Sequence, residues 1–166
     1  MSRFARLIVS FAVSCLVTFA AHAADAPKSH AGSSKDLERG KYIVQIGGCN
    51  DCHTPGYAMT AGKVAEKDWL VGDQLGWRGP WGTTYPVNLR LYMQKLSEAQ
   101  WLQVAKTKEM RPPMPWFALR AMTGADLRAV YRYIRHLGPA GTEAPAYLPP
   151  DKEPKPPFVQ FPAPPK

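Results

Sequence analysis

Three stretches of the chain repeat their apolar residues at helical spacing. From about Lys35 to Gly47, residues Leu37, Ile43 and Ile46 share one face, and Gly47-Gly48 ends the run. From about Glu98 to Lys108, Trp101, Leu102 and Val104 supply apolar contacts behind Ser97 and Gln100, which stand at capping-box spacing. The third stretch is the most regular. Thr123 and Asp126 form a cap, Leu127, Val130, Tyr131 and Ile134 fall at i, i+3, i+4 and i+7, and Gly138-Pro139 stops the helix. Arg128, Arg132 and Arg135 lie about 120° around from that stripe and read as its solvated side. No alternating strand pattern stands out between these helices. Residues 54 to 96 are rich in glycine, aromatics and proline and read as long loops, which suit a compact domain only if they pack against a bound cofactor. The expected fold is all-α, a small domain of about three main helices.

The ends of the chain follow other rules. Arg3 and Arg6 precede an uncharged apolar run, Leu7 to Ala20, and Ala21 to Ala23 reads AHA, the pattern of a secretory signal over residues 1–23. The run is shorter than the roughly 20 residues that span a bilayer, so no membrane span is expected in the mature chain. Cys15 lies inside the run, in AVSC, without the leucine usual at a lipoprotein cleavage site. Residues 24–34 read as a flexible leader and 35–138 as a single domain without internal repeats. Residues 139–166 hold ten of the seventeen prolines and read as an extended tail, which either wraps the domain through Tyr147, Phe158 and Phe161 or hangs free.

Export changes the composition that matters. Removing residues 1–23 leaves Cys49 and Cys52 as the mature chain's cysteines, too few for a disulfide framework. A small core is marginal by itself, and a large buried apolar cofactor would add the missing stability. The formal charge of +8 falls to +6 without Arg3 and Arg6. Such a surface favours acidic partners, and an exported protein is not expected to meet nucleic acid.

The chemistry concentrates in Cys49-Asn50-Asp51-Cys52-His53. This is the C-x-x-C-H spacing of covalent c-type haem attachment. Two thiols three apart at a helix end can each form a thioether to a haem vinyl group, and His53 then ligates the iron as proximal ligand. A zinc site would need two further ligands from His30, His136 or carboxylates, at no familiar spacing. A dithiol oxidoreductase would open a helix after a strand, whereas this motif follows a helix and two glycines. For the sixth ligand Met114 is the first candidate, because Pro113 and Pro115 fix the backbone on either side of a thioether that binds weakly. Met110 is next. Met59, Met93 and Met122 are rivals, of which Met93, in an apolar run, and Met122, just before the helix cap, read as core filler.

These residues carry a resemblance to the small exported monohaem cytochromes c. It rests on DLERGKYIVQIGGCNDCHTPG at the haem helix, MP in the ligand loop and MTGADLRAVYRYIRHLGP as the terminal helix. The resemblance implies that the first and last helices cross with Gly40 against Tyr131, and that one haem c sits beneath with an edge near the surface. The segment GWRGPWGTTYPVNLRLY and the proline tail depart from the shortest members. They are similar to haem-flanking loops of cytochrome subunits that serve exported dehydrogenases. That likeness would give Trp77, Trp81 and Tyr85 to the haem wall, and Arg78 or Arg90 to a propionate, against the plain alternative of packing and solvation.

Histidine and methionine together would close both axial positions, so the implied role is a periplasmic electron carrier and not an enzyme. Its partners would be redox proteins with acidic docking surfaces, a dehydrogenase or an oxidase among them. Two other readings stay open: a fixed subunit of a larger oxidoreductase with the proline tail as docking strap, and a peroxidase or gas-binding protein with a labile sixth ligand.

Overall fold

The computed structural model describes residues 32–162; the expected signal sequence and most of the leader fall outside them. Helix α1, Ser34–Ile46, opens on a capping box: the Ser33 hydroxyl accepts from the Asp36 amide and the Asp36 carboxylate accepts from the Ser33 amide. Helix α1 therefore begins inside the stretch read as leader. Helix α2, Cys49–His53, follows at once, and α3, Leu89–Gln94, is capped by the Asn88 side chain. Helix α4, Glu98–Thr107, carries the expected Ser97/Gln100 box, α5 spans Trp116–Ala121, and α6, Gly124–Leu137, begins at the Thr123 cap. Among the described residues no helix is long and apolar enough to cross a membrane.

Helices α1 and α6 form the central crossing, and Gly40 is its closest point. A β-carbon there would stand 2.2 Å from the Ala129 carbonyl oxygen and 2.6 Å from the Tyr133 β-carbon. The expected neighbour, Tyr131, is thus corrected to Ala129 and Tyr133, which lie four apart on one face of α6. Tyr131, two positions on from Ala129, turns away, and its hydroxyl donates to the Leu96 carbonyl at 2.8 Å. Ile43, Val44, Leu127, Val130 and Ile134 fill the crossing, with Trp101 of α4 anchored by its ring N–H to the Leu127 carbonyl at 2.8 Å.

The all-α expectation needs a correction as well. The protein is mostly helical, but it carries a three-stranded sheet in the order β2-β1-β3. Strand β1, Gly76–Gly79, pairs antiparallel with β2, Gly82–Thr84, and parallel with β3, Phe158–Gln160. Strands of three or four residues are too short to display an alternation, and β3 comes from the proline-rich tail, far away in sequence. The tail wraps the domain. Leu148 exchanges backbone hydrogen bonds with Thr83, and Phe161 packs on Trp77 and Trp81 with ring centroids 5.9 and 5.2 Å apart.

The arginine row of α6 does more than face solvent. Arg132 pairs with both Asp36 of α1 and Glu98 of α4 at 2.9 Å, and Arg135 donates to the Met93 carbonyl.

Candidate functional site

Helix α2 leaves α1 through Gly48, whose φ of 67° is a left-handed conformation that favours glycine. The helix is then tied down along its length. The His53 carbonyl accepts from the Gly72 amide at 2.9 Å. The buried Thr54 hydroxyl donates to Asn50 Oδ1 at 2.7 Å and accepts from the Leu70 amide at 2.8 Å. His53 itself is 8% exposed, and its Nδ1 lies 2.7 Å from the Val87 carbonyl oxygen. A carbonyl only accepts, so Nδ1 carries the proton and Nε2 keeps its lone pair. Burial lowers the imidazole's pKa, which favours this neutral form.

His53 lines a cleft of about 660 Å³ together with Cys49 and Cys52. The size is that of a pocket for a substantial organic ligand. Tyr85, Pro86 and Val87 form one wall with Trp77, and Met93, Trp101 and Ile134 contribute apolar surface from the helices. The loop between α4 and α5 supplies Met110 and Met114. The motif's thiols, its imidazole and the two leading methionine candidates therefore meet in one cavity, although more than sixty positions separate His53 from Met114 in the sequence.

Other expected residues lie elsewhere. Trp81 is not in the lining, and its ring packs on Phe161 of the tail. Arg78 is drawn to the tail by the Glu153 carboxylate at 2.8 Å. Arg90 is buried, with Nε and Nη1 each donating at 2.5 Å, to the Gly138 and Lys67 carbonyls, and Nη2 donating to the Leu137 carbonyl. All three groups of that guanidinium are used, two of them to close the C-terminus of α6 and the third on the Lys67 carbonyl, so the propionate role suggested for Arg90 is corrected to a helix cap that also ties down the 66–68 turn. Met59 is 91% exposed, and Met122 packs beside Gly47.

The chain is similar to part of a much longer dehydrogenase component. Over 125 residues it is 29% identical to a nicotinate dehydrogenase subunit of Pseudomonas putida, a match covering 69% of this chain and 10% of that protein. The chain thus spans about a tenth of the length of that relative. No family model matches the sequence, and no solved structure matches it either.

The donor set tests which group would suit the cleft. Among the described residues no three His, Cys, Asp or Glu side chains are grouped to hold a bare metal ion. Both cysteines are free; burial pushes the Cys49 thiol up to about 11 and raises that of Cys52, the reverse of the shift that activates dithiol redox sites. One neutral imidazole and one thioether, for which Met110 and Met114 are the two candidates, are the donors a macrocycle needs when it brings its own equatorial ligands. Of the buried side-chain donors without a partner among the described residues, two belong to the cleft lining: Trp77 Nε1 and Thr84 Oγ1, on residues paired across β1 and β2. They fit a carboxylate. These residues suit a haem, and the strand pair that supplies the two donors was hidden by its length in the sequence. The Val87 carbonyl was equally hidden, because any residue type can provide one.

Proposed function

We propose that the chain is an exported, periplasmic electron carrier with one covalent haem c, held by thioethers at Cys49 and Cys52 and ligated by His53 and Met114. The carrying observation is that the two thiols and the imidazole of a C-x-x-C-H helix line one apolar cleft, which also receives Met110 and Met114. When bound, the haem supplies a one-electron couple. The chain's own residues do the rest. Val87 fixes the ring and tautomer of His53 and makes Nε2 more basic. Trp77, Tyr85, Trp101 and Ile134 exclude water, and a methionine that held the iron together with His53 would leave no open position for substrate, which favours a carrier over an enzyme.

The likeness to a dehydrogenase component supports an exported dehydrogenase as redox partner, met either in passing or as a fixed subunit of the same assembly. The net charge of +6 that remains without Arg3 and Arg6 favours an acidic face on that partner. The test is the intact mass and visible spectrum of the secreted protein. One haem added to the polypeptide mass is expected, lost in the Cys49→Ala/Cys52→Ala double variant; a colourless protein with the bare mass overturns the reading.

A further inference from the structure

The two sides of the cleft are secured very differently, and the weaker side depends on the tail. Between α4 and α5 the loop bonds locally: the Met114 amide donates to the Arg111 carbonyl at 3.3 Å and the Trp116 amide to the Met114 carbonyl at 2.9 Å. Among the described residues, one polar contact reaches residues 109–115 from outside the α4–α5 region. The Arg111 guanidinium sits 3.9 Å over the ring of Tyr147. Tyr147 is itself fixed, with its hydroxyl donating to the Trp81 carbonyl at 2.8 Å and its neighbour Leu148 bonded to Thr83 in both directions. Gly82 makes room for this, since a β-carbon there would stand 2.3 Å from the Leu148 oxygen and 2.9 Å from the Tyr147 ring.

We propose that Tyr147 is a positioning residue: the tail uses it to tie the methionine loop, through Arg111, to the β1–β2 hairpin on the other wall of the cleft. The inference rests on the haem reading for its consequence, because a thioether binds weakly and its occupancy then follows the position of its loop. The tie itself stands on the contact geometry alone. It also gives the tail an intramolecular task in place of the docking strap considered from the sequence.

The experiment uses the holoprotein with Tyr147→Leu, Tyr147→Phe and Arg111→Gln, reading the rate of cyanide binding, the sulfur-to-iron absorption band and hydrogen exchange across residues 108–115. Tyr147→Leu and Arg111→Gln should each speed cyanide binding and loop exchange on the order of three- to tenfold, and together no more than either alone. Tyr147→Phe keeps the ring and should fall much nearer wild type. Arg111 is exposed, so its variant tests the tie even if Tyr147→Leu fails to fold. Loop exchange within twofold of wild type in Arg111→Gln overturns the tie. If the wild-type protein lacks the sulfur-to-iron band, it is the ligand assignment that fails, and loop exchange still decides the strap.

Discussion

The histidine wall and the methionine wall of the cleft are built on opposite plans. His53 is gripped through its ring by Val87, through its carbonyl by Gly72 and through its neighbour Thr54 by Asn50 and Leu70. Met110 and Met114 pack on the core from a loop stiffened by Pro112, Pro113 and Pro115, and among the described residues one polar contact, a cation–aromatic one, holds that loop from outside the α4–α5 region. The first plan spends many backbone and side-chain bonds on one atom, Nε2. The second leaves its methionines on a loop with few outside ties, and in the proposed haem reading the strength of a ligand on that side would follow the position of its loop.

The sharpest way to break the contrast is His53→Ala, which should yield no stable holoprotein, seen as absent pigment and reduced helicity in circular dichroism. Met114→Ala should leave a folded, pigmented protein whose midpoint potential falls on the order of 0.1 V, within the ~0.8 V that axial ligands span. Its iron should also bind cyanide rapidly. Met110→Ala should change neither property; the opposite result would exchange the roles of the two methionines.

Without any cofactor chemistry, Thr54→Val probes the same asymmetry. It strips a buried hydroxyl from two partners and should lower stability to denaturant by about 1–3 kcal/mol. Arg111→Gln, at the exposed tie of the other wall, should lower it by about 1 kcal/mol or less. Equal losses would mean the two walls are equally rigid.

The smallest effect is on pH. Hydrogen bonding from Ser33, then Arg132, lowers the Asp36 carboxyl, Arg39 lowers Asp126 and Lys41 lowers Glu66. Depressed acids stabilise the fold fully above their unfolded values, ordinarily 3.8 and 4.5, and lose that contribution as pH falls through the lower folded ones. The contribution of these carboxylates to the melting temperature should therefore be constant above about pH 5 and decline below about 4. These groups are well solvated, so the decline from them should be shallow.

Much of this was legible in the sequence where the cause is local. The box at Ser97 and the cap at Thr123 announced α4 and α6 because capping is settled within four residues. The thiols and imidazole of α2 were legible for the same reason. Distant causes were not. Arg90 closes a helix nearly fifty positions downstream, and Trp81 and Arg78 are claimed by Phe161 and Glu153 of the tail. Gly40 announced a close approach, but which residues it meets depends on the rotation of α6 about its axis, which the apolar stripe fixes only broadly.

The route of the tail has one more consequence. Strand β1 has neighbours on both sides, and the outer side of β2 is bridged by Leu148, so among the described residues the unpaired edge of this sheet is β3, three residues long and set between Pro157 and Pro162. Proline offers no N–H to an incoming strand, and so short an edge gives a second molecule little to extend. The prolines that read from sequence as an extended tail thus make that edge a poor template for strand-to-strand self-association at high concentration.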